Sequence, residues 1–342
     1  MTRVVVAPDS FKGSITARHA ASAIADGWRS IRPGDRLIEL PQADGGEGTL
    51  DAMASSLPGA RRRSAGPVTG PDGRPTPGEW LELPDGTAAV ELAQCSGLTL
   101  MRLPDPLGAT TAGLGEVIRA AIGSGARRLV IGLGGSASTD GGLGALKALG
   151  LRLDGERLDL TDLLPAPLGG VELLTDVTAP LLGPHGAAAV FGPQKGADAA
   201  QVARLEAALA DLVGIMGGDP ERPGAGAAGG AGYGFATAWG ATITPGARRI
   251  AELTGLATAS ADVLITGEGR FDATSLRGKV VGEALTATRI PTAGVIAGSV
   301  EADPGCWSLS LSTLSGSAET AMREPERWLR EAGAAAARAL GG

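Results

Sequence analysis

Leu129-Val130-Ile131-Gly132-Leu133-Gly134-Gly135-Ser136-Ala137-Ser138-Thr139-Asp140-Gly141-Gly142-Leu143 joins an apolar run, a glycine loop and the start of a second apolar segment. Residues 129–131 read as a buried strand, and residues 143–149 as a helix stopped by Gly150. Strand, glycine loop and helix in that order present backbone N–H groups to an anion. Glycines let the backbone come close to it. Ser136, Ser138 and Thr139 add hydroxyls and Asp140 a carboxylate, so a phosphate, alone or with its metal, is the expected guest. The chain holds 55 glycines, so composition supplies part of this pattern and the loop needs support from elsewhere.

The loop is not a P-loop, because no Gly-Lys-Ser/Thr follows it. Gly132, Gly134 and Ala137 do match G-x-G-x-x-A, and Asp154 lies about 20 residues on, as in a dinucleotide fingerprint. An NAD(P)-dependent oxidoreductase is therefore one alternative. The run around Asp154 reads as a hairpin and not as a second parallel strand, which counts against it.

On the N-terminal side, residues 3–7 form a β-branched strand pattern followed by a loop, Pro8-Asp9-Ser10-Phe11-Lys12-Gly13-Ser14. Ser14 is the expected N-cap of a helix with Ile24, Trp28 and Ile31 on one face. A second strand at 36–40 leads to Asp44-Gly45-Gly46-Glu47-Gly48-Thr49 and a short helix. β-α-β-α implies a parallel sheet. Residues 66–78 are dense in Pro and Gly, and 79–92 read as a hairpin. A helix near 111–122 precedes the glycine loop. Beyond it, 173–177 and 187–191 are strand candidates, 199–216 is a helix, and the Gly/Ala run 224–234 reads as a linker or a ligand loop. From residue 261 the alternation returns, with strands at 263–266, 292–297 and 308–311. The fold class expected is α/β: a doubly wound, flavodoxin-like parallel sheet from 1–64 and 255–342, with a second α/β domain, 65–254, inserted. If the strand order is 2-1-3-4-5, ligands bind where the loops 9–14 and 267–279 meet, with 44–49 adjoining. The inserted glycine loop would face them across an interdomain cleft.

A chain of 342 residues with 43% hydrophobic and 20% charged residues is globular. Its net charge of −7 argues against nucleic acid and anionic membranes as partners. Cys95 and Cys306 lack metal-ligand spacing, and no signal peptide or membrane span is evident, so a cytoplasmic location is expected. Only four of the 30 basic residues are lysines, and Lys12, Lys195 and Lys279 each adjoin a glycine. A compact ammonium beside a permissive backbone suits a phosphate oxygen. Lys147 reads as a solvated helix residue. His19 and His185 lie near no nucleophile motif, so a catalytic triad is not expected.

Gly267-Glu268-Gly269-Arg270-Phe271-Asp272 with Gly278-Lys279 brings two carboxylates and two cations together. Asp44 and Glu47 add two more acids, and Asp140 and Asp176 each follow a strand candidate. Hard oxygen ligands point to Mg²⁺, and cations beside glycine loops point to phosphates. Together they describe phosphoryl transfer. Taken singly, each acid also reads as a cap or turn residue, and Arg270 as a brace for Asp272.

Five segments, 7–14, 43–49, 132–142, Phe191-Gly192-Pro193-Gln194-Lys195-Gly196-Ala197 and Thr266-Gly267-Glu268-Gly269-Arg270, resemble the bacterial type I glycerate kinase family, in order and over nearly the full length. The resemblance implies ATP-dependent phosphorylation of D-glycerate, with 2-phosphoglycerate favoured over 3-phosphoglycerate, and two α/β domains. On this reading Lys12, Lys195 and Lys279 neutralise phosphates or the substrate carboxylate. Asp9, Ser10, Gly45, Gly46, Gly134, Gly135, Ser136 and Arg270 bind phosphate or substrate. Asp44, Glu47 and Glu268 hold Mg²⁺, and Asp140, Asp176 or Asp272 is the base. A second copy of the chain is a candidate partner. The family commonly has an amide where this chain has Ala179, and Gln-Thr where it has Thr274-Ser275. These departures bear on substrate preference and leave a non-catalytic binding protein as a further alternative.

Overall fold

The computed structural model describes residues 1–155 and 157–341. The chain divides into two compact units, Met1–Asp44 with Asp51–Pro58 and Ala247–Gly342, and Gly45–Leu50 with Gly59–Gly246.

In the first unit, β1 (Arg3–Val6) buries Val4, Val5 and Val6 on both faces, as a central parallel strand must. Helix α1 (Ala17–Ile31) is capped by Thr16, whose hydroxyl accepts from the His19 N–H. The expected cap, Ser14, instead closes a tight turn by donating its N–H to the Phe11 carbonyl, so the helix starts later. Ile24 and Trp28 are buried, whereas Ile31 at the last turn is exposed. β2 (Arg36–Glu39) and α2 (Thr49–Ser56) follow.

The second unit opens with β3 (Arg61–Thr69), β4 (Pro75–Glu82) and β5 (Thr87–Glu91), an antiparallel meander. β3 is a strand the sequence conceals: Gly66 and Pro67 interrupt it, which an edge strand tolerates. Short α3 (Leu92–Ser96), then α4 (Ala112–Gly123), lead to β6 (Arg128–Gly132) and α5 (Leu143–Ala148). β7 (Arg152–Asp154) and β8 (Arg157–Asp159) are an antiparallel pair, as read around Asp154, so no parallel strand carries that acid. After β9 (Val171–Leu174) comes α6 (Ala187–Phe191), a helix where a strand was expected. Three alanines follow Gly186 there, and they outweigh the lone β-branched Val190. Helix α7 (Ala199–Met216) is closed at its start by a reciprocal Asp198–Gln201 capping box. α8 (Ala227–Trp239) and β10 (Thr242–Thr244) complete a sheet of order β10-β9-β6-β5-β4-β3.

Through α9 (Gly246–Leu253) the chain returns to β11 (Val263–Phe271), α10 (Val280–Ala287), β12 (Thr292–Val300) and β13 (Trp307–Ser310). Helices α11 (Leu311–Ser315), α12 (Ala318–Arg323) and α13 (Pro325–Leu340) finish it. The sheet runs β13-β12-β11-β1-β2 with every neighbour parallel, the expected 2-1-3-4-5 order. β11 and β12 are longer than expected and stay paired to Phe271 and Val300. Gly267, Gly269 and Gly298 obscure that extension in the sequence. A Cβ on Gly298 would lie 2.2 Å from the Gly269 carbonyl oxygen, so these strands depend on bare backbone.

Helix α1 lies against α13 at similarly close range. A Cβ on Gly27 would meet the Arg330 carbonyl oxygen at 1.9 Å, and one on Gly333 the Ile24 oxygen at 2.1 Å. Gly27→Ala must push the helices apart and is expected to lower unfolding free energy by about 1–3 kcal/mol, read from the urea midpoint. An unchanged midpoint would mean the helices close up without strain. Among the described residues no helix is long and apolar enough to cross a membrane.

Candidate functional site

The carboxyl ends of all five strands of the first sheet open onto one cavity of about 480 Å³. The turn after β1 contributes Asp9, Ser10 and Lys12; the chain beyond β2 adds Asp44; and β11 with the turn after it adds Glu268, Arg270, Asp272 and Lys279. Eight of the expected site residues thus share one concave surface. They meet because a parallel sheet delivers every such turn to the same edge.

The acids in this cavity are not equivalent. Burial pushes the Asp9 carboxyl up to about 7, and the neighbouring charges of Asp44 and Glu268 push the same way against the Ser10 N–H and Lys12. Glu268 is also raised, chiefly by burial, with Ser275 and the two lysines opposing. Its Oε1 is buried and has no hydrogen-bond partner among the described residues. Asp272 is lowered instead: Oδ1 accepts from the Thr274 hydroxyl (2.7 Å) and N–H (2.8 Å). A carboxylate held as an anion in this way is a poor proton acceptor. The Thr274 hydroxyl also accepts from Lys279 Nζ at 2.8 Å, so this residue links Asp272 to the lysine. Arg270 pairs with Glu301 at 2.6 Å on the surface and stands 3.8 Å from Asp272, nearer to the brace than to a dedicated ligand group.

The glycine loop between β6 and α5 is the second constellation. Its glycines serve packing as much as ligand approach. The Gly134 N–H donates to the Gly45 carbonyl at 3.0 Å. A Cβ on Gly134 would meet Gly46 Cα at 2.5 Å, and one on Gly45 the Leu174 oxygen at 2.7 Å. Asp140 braces the loop: Oδ2 accepts from the Thr111 N–H, the Thr111 hydroxyl and the Gly144 N–H, and Oδ1 from the Gly142 N–H. With four donors on it, Asp140 is not placed as the base. Asp176 similarly accepts from the Gly246 N–H at the start of α9 (2.7 Å). Glu47 is exposed and does not line the first unit's cavity.

Lys195 is 3% exposed. Its ammonium donates to the Ser136 hydroxyl (2.9 Å) and the Ser138 carbonyl (2.5 Å), pinning the loop. Burial lowers it to about 8, with Asp140 opposing. The unfolded chain therefore binds more protons than the folded one between that value and an ordinary lysine's, so stability rises with pH across that window. Against a Lys195→Met variant, the wild type is expected to gain on the order of 2–3 kcal/mol from about pH 8 to pH 10.5, measured by urea denaturation. A constant difference would contradict the buried ammonium.

Beside the loop hydroxyls that residue types did single out, two features escape such a reading. The Ser138 and Thr139 hydroxyls are buried and, among the described residues, have no hydrogen-bond partner. Glu91, also buried, accepts from the Gly48 and Leu50 N–H groups at the head of α2. A lone acid ending a strand gave no signal for that role. The Gly/Ala run 224–234 is no linker: the Gly141 N–H donates to the Gly229 carbonyl, and a Cβ on Gly229 would lie 2.1 Å from the Ser138 oxygen.

Residues 4–341 match the family model described as Glycerate kinase family. A protein of Escherichia coli (strain K12) named Glycerate 2-kinase is 38% identical over 333 residues, covering 89% of this chain and 87% of its own. One of Bacillus subtilis (strain 168) named Glycerate kinase is 40% identical over 331 residues, covering 88% and 86%. The crystal structure of putative glycerate kinase 2 from Salmonella typhimurium LT2 superposes with a TM-score of 0.83 at 35% identity, over 99% of this chain and 98% of that one.

Proposed function

The chain belongs to the glycerate kinase family, and from that premise we propose that it phosphorylates D-glycerate at the C2 hydroxyl, with ATP as donor and Mg²⁺ as its ion. The observation that carries the reading is the single cavity joining Lys12 and Lys279 to Asp9, Asp44 and Glu268. Cations for phosphates and hard oxygens for an ion are what phosphoryl transfer requires, since its catalysis is positioning and charge stabilisation.

The residues present fit Mg²⁺. Glu268 keeps a buried carboxylate oxygen that has no hydrogen-bond partner among the described residues. Mg²⁺ is commonly held by one or two carboxylates together with phosphate oxygens and water. Asp44 and Glu268 are the residues we assign to it, and when bound it neutralises phosphate charge. Lys12 and Lys279 take the phosphate oxygens. Asp9 takes the hydroxyl proton: it lines the cavity, and its one hydrogen bond among the described residues comes from the Ser10 N–H (2.6 Å). Gly134, Gly135 and Ser136, pinned by Lys195, hold an anionic group of substrate or product. The two separate thiols, one buried and one half-buried, accord with a cytoplasmic enzyme.

The test is ADP release from Mg²⁺-ATP with D-glycerate, with L-glycerate alongside and phosphorus NMR of the product. Turnover with D-glycerate giving the C2 ester supports the proposal. A C3 ester would overturn the regiochemistry, and turnover with L-glycerate alone the stereochemistry.

A further inference from the structure

We infer that the first unit's cavity holds the nucleotide lengthwise, its phosphates over β1 and β11 and its nucleoside over the turn and helices that follow β13. The inference rests on the phosphoryl-transfer reading and adds a nucleoside site to it. Its basis is the order in which wall chemistry changes along the sheet edge. At β2, β1 and β11 the walls carry the cavity's charges: Asp44, then Asp9 and Lys12 on either side of Phe11, then Glu268 and Lys279. At β12 they are small and neutral, Gly298 and Ser299. Beyond β13 they are apolar, formed by Leu311, Ala318, Ala321, Met322 and Pro325. A ligand lying along this edge meets ions at one end and hydrocarbon at the other.

Length makes the same point. Five strands make four steps, at about 4.8 Å each roughly 19 Å. A three-carbon acid built from bonds of about 1.5 Å spans roughly 5 Å and leaves the apolar end empty. Met322 is 55% exposed there, and a flexible thioether adapts well to a flat ring. A nucleoside triphosphate has both the length and the polarity gradient that the cavity has. An acid with a long apolar tail would also reach, but would leave the cations at the charged end with a single carboxylate.

Ala318 and Met322 are both exposed, so the fold tolerates change at either. The experiment is calorimetric titration of Mg-ADP and of Mg-pyrophosphate into the wild type, Ala318→Trp and Met322→Glu, with KM for ATP and D-glycerate measured in parallel. Each variant is expected to weaken ADP at least about tenfold, leaving pyrophosphate affinity and the KM for D-glycerate unchanged. Unchanged ADP affinity in both variants overturns the inference, as does a rise in the KM for D-glycerate alone, which would assign the apolar end to the acid. ADP binding is read without turnover, so a wild type that binds ADP in this pattern but does not phosphorylate glycerate refutes the proposed reaction and leaves the nucleoside site standing.

Discussion

Lys12→Ala is expected to lower kcat/KM at least about a hundredfold while the protein melts as the wild type does. Lys12 is exposed on the cavity wall, after a strand whose three valines are buried. Removing its side chain leaves no void in the core. What it removes is one of the charges facing Asp9 and Glu268 and, on our reading, the transferring phosphoryl group. Deleting one preorganised donor from such a site characteristically loses a factor of 10²–10³. Lys12→Arg should recover only part of the loss, because a planar fork replaces a point charge. Steady-state kinetics with ATP and D-glycerate decide it, and wild-type kinetics in the Ala variant would take Lys12 out of the mechanism.

Asp140→Ala is expected to destabilise the second unit by about 3 kcal/mol or more and to abolish turnover together with the fold of the loop. Four donors lose their acceptor at once, two on Thr111 and one each on Gly142 and Gly144. A buried donor left unsatisfied costs about 1–3 kcal/mol, and water reaching this half-exposed carboxylate offsets part of the sum. Asp140→Asn should help little, since its amide turns a donor toward donors. The measurement is a denaturation curve beside an activity assay. A fully stable but inactive Ala variant would return Asp140 to the chemistry.

How much of this was legible depended on whether the signal was local. The order of the first sheet could be read because apolar runs such as Val4–Val6 and 263–265 alternate with helical spacing, and connection rules do the rest. The cavity could be read because strand-end turns are where polar residues have no packing duty. The role of each acid could not. Asp9, Asp140 and Asp272 look alike in sequence, and one faces a cavity with a raised proton affinity, one caps a loop and one is held by Thr274. Those differences come from partners chosen by tertiary contact, such as Thr111 for Asp140. Glycine misled in both directions: it hid the ends of β11 and β12, and made 224–234 resemble a tether when it is buried packing.

The chain order of the first sheet bears on synthesis. Val4, Val5 and Val6 pair with Val263, Leu264 and Ile265, so a nascent chain must emit most of its length before its first strand gains that neighbour. Until then β1 has only β2 beside it, and one open edge exposes unpaired backbone and valine side chains. The second unit, which lies within that interval, is complete on the ribosome first. Truncations ahead of residue 263 should therefore leave the second unit folded and β1 prone to aggregation, as read by light scattering beside circular dichroism.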